Sequence, residues 1–140
     1  MSYKGLEIWQ LARELSIEIH KLVVQLPKSE QYRQGDQLLR SIRSVRSNIV
    51  EGYGRKRYPR DYIRFIIYAL ASNDESIDHL EILHEIGEIK NPKVYETLKK
   101  KMIQLGVKLN NFLKALERDQ RNLKEPMVFY EIDGPAPSKT

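Results

Sequence analysis

Apolar residues recur along this chain every three or four positions and hardly ever in strict alternation. Ile8, Ala12, Leu15, Ile19, Leu22 and Leu26 fall on one face of a first helix. Pro27 stops it, and Lys28–Gln34 forms the connection. Leu38, Ile42, Val45 and Ile49 mark a second helix, ended by the Gly52/Gly54 pair. A third starts at Pro59, whose fixed φ suits a first helical turn, and runs to Ile86 with Gly87 as its C-terminal cap. The fourth opens at Asn91-Pro92, a cap followed by a first-turn proline, and its stripe is Val94, Leu98, Met102, Leu105, Leu109, Phe112 and Leu116. Four helices of about 20–30 residues joined by short links predict an all-α, up-down-up-down four-helix bundle.

The pattern changes after Arg121. Pro126, Gly134, Pro135 and Pro137 forbid a continuing helix, so residues 1–121 are expected as the bundle and 122–140 as an irregular tail, disordered over its last residues. Met127-Val128-Phe129-Tyr130 is an apolar island in that tail, and Met127–Ile132 holds the best strand-like pattern in the chain. This piece could fold back on its own bundle or dock on a neighbour, and the sequence does not choose.

Two helices carry more apolar surface than one bundle core requires. Leu6, Ile17 and Val24 lie nearly opposite the main stripe of the first, and Tyr62–Leu70 of the third is apolar almost all round. No helix of a four-helix bundle is central, so a helix apolar on every side implies a subunit interface. Leu6, Ile17, Val24, Phe65, Ile66 and Ile67 are the residues expected there, in a homo-oligomer.

The length of 140 residues suits a single domain, and with no cysteine a disulfide framework or thiolate metal site is excluded. No apolar run is long enough to span a membrane and the first residues are charged, so a soluble, cytoplasmic protein is expected. The net charge of +5 is modest but segregated. Arg40, Arg43, Arg46, Arg55, Lys56, Arg57, Arg60 and Arg64 crowd into one stretch with only Glu51 and Asp61 against them. Asp74, Glu75, Asp78, Glu81, Glu85 and Glu88 form an opposite pole with no intervening Lys or Arg. The arginines appear without interleaved glutamates at i,i+4, and guanidinium forks match phosphate geometry, so a nucleic-acid backbone is the natural partner. Tyr53, Tyr58 and Tyr62 lie among these bases, where they could stack on unpaired bases or simply pack.

Other chemistry finds little footing. Glu81-Ile-Leu-His84 has the Glu-x-x-His spacing of di-iron bundles, but no second such pair exists, so no metal or other cofactor is expected. No glycine-rich phosphate loop, thiol or His-Glu-x-x-His is present, and the protein is read as a non-enzyme. Ser44, Asn48, Glu51 and Gly52 flank the stripe of the second helix, where polar groups covered by a neighbour need partners. They are expected to form a hydrogen-bonded lock near the helix end, with Gly52 allowing close helix approach.

These residues carry a resemblance. The chain resembles the four-helix bundle proteins encoded within intervening sequences of bacterial 23S ribosomal RNA genes. The likeness rests on Leu6-x-Ile8-Trp9-x-x-Ala12, on Gln37-x-x-Arg40-Ser41 followed by Ser44-x-x-x-Asn48-Ile49-x-Glu51-Gly52-x-Gly54-Arg55, and on Phe65-x-x-x-Ala69-x-x-Ser72-x-x-Glu75. Ala71 stands where the family often has glycine, and Ser41-Ile42 where it often has arginine and alanine. The resemblance implies a left-handed bundle assembled as a ring, commonly a homopentamer, with no established enzymatic activity. It also implies kinship with the accessory variability determinants of diversity-generating retroelements, which work with a reverse transcriptase and RNA. The expected function is nucleic-acid binding, to structured or ribosomal RNA or to DNA, through the basic second helix and the turn after it. The alternative is a protein-interaction scaffold whose basic and acidic faces serve subunit assembly.

Overall fold

The structure is a computed structural model that describes residues 2–124, with side chains described as far as Arg121. Among these residues the chain is helical with no strand: α1 (Glu7–Val23), a single turn α2 (Lys28–Glu30), α3 (Asp36–Gly54), α4 (Pro59–Glu85) and α5 (Pro92–Lys124). The sequence-based boundaries hold for α4 and for the start of α5. The latter runs on to Lys124, three residues past the expected end. The island Met127–Tyr130 and the rest of the tail lie outside the described residues.

The expected loop Lys28–Gln34 is itself helical. After α2, Gln31–Gly35 forms a π-helical turn that feeds straight into α3. Gly35 is buried there, and a Cβ on it would meet the Leu26 side chain and the Glu30 carbonyl at 3.0 Å. The wide turn brings the chain hard against the end of α1, where Gln31 donates to the Leu26 carbonyl at 2.7 Å. Apolar periodicity could not show this, because the residues involved are polar.

Each long helix neighbours two others, in the cyclic order α1, α3, α4, α5. All four neighbouring pairs are antiparallel. Arg46 meets Ser16 across α1 and α3. Ser44 meets Ser72, and Ser41 meets Ser76, across α3 and α4. Asn73 reaches Met102 across α4 and α5, and Lys101 and Lys108 reach Glu18 and Glu7 across α5 and α1. This is the up-down-up-down bundle that the hydrophobic pattern predicts.

The core is the sum of the four stripes, with Leu15, Ile19, Leu38, Ile42, Ile49, Ile66, Leu80, Leu83, Met102, Leu105 and Leu109 fully buried. Each such side chain contributes roughly 1.5–3 kcal/mol of transfer free energy. Gly87 ends α4 with φ +81°, and the Glu88 and Gly87 amides donate to the Leu83 and His84 carbonyls, a Schellman cap. The Asn91 side chain accepts from the Lys93 amide and starts α5.

The surplus apolar residues divide. Ile66 is fully buried in its own core and is unavailable to a subunit interface, correcting its assignment there. Leu6 packs against the core, and Phe65 lies half-buried against Gly52. Ile17, Val24 and Ile67 do face outward, joined by Tyr68, Ile103 and Val107. Tyr62–Leu70 looks apolar all round because one face meets α3, a second the core, and a third solvent.

Candidate nucleic-acid interface

A polar seam runs between α3 and α4. Ser44 Oγ lies 2.9 Å from Ser72 Oγ, and Ser76 Oγ donates to Ser41 Oγ at 2.8 Å. Asn48 Nδ2 donates to the Ser44 carbonyl and hydroxyl at 2.9 and 3.0 Å. Further along, Gln34 bonds His79. Ser44 and Asn48 thus bond each other, and Ser44 also reaches Ser72 on α4. Glu51 takes no part in these bonds: exposed, it pairs with Arg55 at 2.7 Å. Gly52 is buried where a Cβ would lie 3.1 Å from Phe65 Cβ and 3.2 Å from Tyr62 Cδ1, so its role is close helix approach.

The seam fixes how α3 sits on α4, and with it the direction each arginine takes. The row assumed to lack acidic partners has three. Arg40 pairs with Asp36 at 3.0 Å, Arg55 with Glu51, and Arg64 with Asp61 at 3.1 Å. These are solvent-exposed i,i+3 and i,i+4 pairs, worth under about 1 kcal/mol each, so a phosphate could displace the acid. Arg46 is different. Its guanidinium lies 5.3 Å from the Trp9 ring centroid while Nη1 donates to Ser16 Oγ at 3.2 Å, clamping α1 to α3. Half-buried and engaged on two sides, Arg46 is a structural residue.

Arg43, Lys56 and Arg57 are exposed and have no acidic partner among the described residues. Lys56 bends over the Tyr53 ring at 4.3 Å and donates to its hydroxyl, and Arg55 lies 4.5 Å over Phe65. Both aromatic rings hold their cations at the surface. Arg60 stands half-exposed in the first turn of α4 and also has an interaction partner. Among the tyrosines Tyr62 is core, edge-to-face with Tyr53 and Phe112, and burial pushes its phenol pKa up to about 12. Tyr58 is exposed, and of the three it alone offers a free ring face.

The basic residues thus form two groups. Arg55, Lys56, Arg57, Arg60 and Arg64 gather at the end of the bundle that carries the α3–α4 turn, and Arg40 and Arg43 lie part-way along α3. Arg43 and Arg55 are separated by about 18 Å of helix axis. Contact between Tyr62 and Phe112 puts the C-terminal turns of α5 at the same end. Lys114, Arg118 and Arg121 are exposed there, interleaved with Glu117 and the exposed Asp119, and extend the turn group. Sequence reading missed them because they are distant in the chain, although antiparallel pairing of the third and fourth stripes would have placed them.

Among the described residues the acidic stretch forms no ion pair with the arginines. Glu81 pairs with Lys99 at 2.9 Å, whereas Asp74, Glu75, Asp78 and Glu85 are exposed without a basic partner among the described residues. Arg64 and Asp74 are separated by about 15 Å along α4, beyond a physiological screening length of about 8 Å. Across the helices the separation is smaller, because the Ser44–Ser72 and Ser41–Ser76 bonds set Arg40 and Arg43 level with Asp74, Glu75 and Asp78. His84 stacks on Tyr95 with ring centroids 3.8 Å apart, and no group of three metal-binding side chains occurs among the described residues. No described helix is long and apolar enough to cross a membrane.

The family model described as 23S rRNA-intervening sequence protein matches residues 4–111 of this chain. The chain belongs to this family. Among proteins with curated descriptions none matches. A solved structure from Bacteroides thetaiotaomicron, a protein of unknown function from the S23 ribosomal protein family, superposes with a TM-score of 0.69. It is 22% identical, and the match covers 76% of this chain and 95% of that one, which supports the bundle fold alone. Family membership rests on a segment that includes the seam and all the arginines of α3 and its turn, and excludes the C-terminal turns of α5.

Proposed function

We propose that this member of the 23S rRNA-intervening sequence protein family is a non-enzymatic, oligomeric nucleic-acid-binding protein of the cytoplasm. It grips phosphates of structured RNA through the basic end of the bundle. The observation that carries this reading is the set Arg43, Lys56 and Arg57, exposed and without acidic partners among the described residues, with Lys114, Arg118 and Arg121 brought to the same end as the last two. Exposed Ile67, Ile103 and Val107 support self-association, and a ring such as a pentamer would repeat the patch and convert weak contacts into avid binding. No base-reading element accompanies the patch among the described residues, and the reading is of backbone and shape recognition. A reverse transcriptase or another RNA-processing protein would be reached through the bound RNA.

Fluorescence polarisation with labelled ribosomal RNA fragments across a salt series tests this. Log affinity should fall against log salt with a slope of about −0.9Z for a duplex and about −0.7Z for a single strand, Z being the phosphates neutralised. Lys56→Glu with Arg57→Glu should weaken binding at least tenfold, while Lys90→Glu at the opposite end should not. Salt-independent binding, or equal effects of the two variants, would sink the proposal.

A second reading is favoured by the exposed acids Asp74, Glu75 and Asp78 beside exposed Ile67 and Tyr68. This face could receive the basic end of a neighbouring subunit, making the protein an assembly scaffold. It predicts that Lys56→Glu/Arg57→Glu lowers the mass seen by light scattering, which RNA binding does not require.

A further inference from the structure

A cleft of about 500 Å³ opens at the bundle end opposite the basic turn, between the last turns of α1 and the start of α5. Leu22, Leu26, Ile89 and Leu98 floor it, and Lys21 and Lys93 stand at its lip. Glu18, on the wall, is already held by Lys101 at 2.8 Å, and Lys90 donates to the Gly87 carbonyl. Glu88 alone opposes the two lip lysines, which have no acidic partner among the described residues. The cleft is therefore apolar at the bottom and cationic at the rim.

The chain contains a segment of the complementary kind. Pro126-Met-Val-Phe-Tyr-Glu-Ile-Asp133 presents five apolar side chains with carboxylates at Glu131 and Asp133, and Glu125 precedes it. It follows α5 and lies outside residues 4–111 that match the family. Its own cleft is out of reach. Leu98 lies about 39 Å back along the helix from Lys124 at 1.5 Å per residue. Fully extended, the chain carries Phe129 at most about 18 Å from Lys124, and Ile132 about 29 Å.

We propose that residues 126–133 of one copy dock into the cleft between α1 and α5 of a second copy. The apolar side chains cover Leu22, Leu26, Ile89 and Leu98, and Glu131 and Asp133 meet Lys21 and Lys93. Donor and acceptor surfaces differ, so the contact is head-to-tail and propagates into a closed ring or an open row of subunits. It stands independently of any nucleic-acid role.

The chain has no cysteine, so a designed pair reports cleanly. In the full chain, Thr97→Cys at the cleft wall with Phe129→Cys should give disulfide-linked dimers and larger species on a non-reducing gel after mild oxidation. Adding Lys21→Glu and Lys93→Glu should cut that yield at least fivefold. Two comparison pairs carry Phe129→Cys with Ser47→Cys on the outer face of α3, or with Tyr58→Cys at the basic end. Linked species no more abundant than in the Ser47 pair would overturn the proposal, as would a yield indifferent to the lysine reversals. A dominant intrachain product in the Tyr58 pair would overturn it too, because the segment would then cover the basic end of its own subunit.

Discussion

Substituting alanine at Gly52 and separately at Gly54 isolates what close helix approach is worth in this bundle. Both glycines lie in the last turn of α3 and neither has a positive φ, so alanine is conformationally allowed at each. In a helix the exchange gains up to about 1 kcal/mol of propensity, less near the end. At Gly54 a Cβ meets nothing within 4 Å, so a gain of about 0.5 kcal/mol is all that should be seen. At Gly52 the new Cβ falls 3.1 Å from Phe65 Cβ, an atom fixed to the α4 backbone, and 3.2 Å from the Tyr62 ring. That ring is wedged between Tyr53 and Phe112 and has little room to retreat. Overpacking of this kind costs about 1–3 kcal/mol, so Gly52→Ala should end up to about 2 kcal/mol less stable than wild type. The difference between the two variants cancels most of the propensity term and should be about 1–3 kcal/mol, or roughly 3–6 °C in Tm per kcal/mol for a chain of this size. Urea titrations followed by far-UV circular dichroism, at one protein concentration, measure it. Equal upward shifts of both midpoints would refute the reasoning, because α3 could then be moved off α4 without penalty.

Other outcomes follow from the same packing. Asn73 is fully buried, donates to the Met102 carbonyl at 2.8 Å and leaves its own Oδ1 without a partner among the described residues. Asn73→Leu removes that stranded acceptor and should cost less than about 1 kcal/mol, whereas Asn73→Ala, which also opens a cavity, should cost about 2; the reverse order in urea midpoints would contradict this. Ser41→Ala and Ser76→Ala should each cost about 1 kcal/mol and the pair less than the sum, by about 0.5–1 kcal/mol, as read from a double-mutant cycle. The Tyr62 phenol, pushed up to about 12 by burial, binds its proton more tightly folded than unfolded. Stability should therefore fall as pH rises from about 10 through about 12, and Tyr62→Phe should flatten that fall; an unchanged slope in melts at pH 9 to 11 would show that the phenol ionises freely. Lys101, which spans to Glu14 and Glu18 of α1, has its pKa raised by the hydrogen bond to Glu18, so its contribution is present below its ordinary pKa and lost above it. Lys101→Met should cost no more than about 1 kcal/mol at pH 7, and a larger loss in the urea midpoint would mark the bridge as more than a surface pair.

The bundle was legible because its signals are local. Each long helix carries its own stripe and its own stop: Pro27 and Gly87 mark ends, while Pro59 and Asn91-Pro92 mark starts. The π-helical turn at Gln31–Gly35 was not legible, since it sets Gly35 close to Val23 and Leu26, residues that share no period with it. At the candidate site the residue types were readable and their commitments were not. Helical spacing puts Arg43 opposite the apolar stripe and Arg46 on its flank, but does not say which neighbour covers that flank; it is α1, whose Trp9 lies under Arg46 while Arg43 is exposed. Asp36 pairs with Arg40 one turn away, and lies just before the stretch into which the bases crowd. Ile66 and Ile67 are equally apolar neighbours, and only the angle between them decides that one is core and the other surface.

The hydroxyl seam between α3 and α4 has a consequence for whatever meets the outside of these helices. Serines and a glycine set the two helices close together, and each bonded pair fits one register only, so a slide along the axis would strand several hydroxyls at once. The hairpin therefore behaves as a stiff ruler. Arg43 on α3 and Arg60 and Arg64 on α4 are graduations whose backbone positions are fixed, so that only the reach of the side chains adjusts to a partner. A flexible strand can conform to such a ruler, at its own entropic expense, but a preformed helix of the wrong pitch cannot.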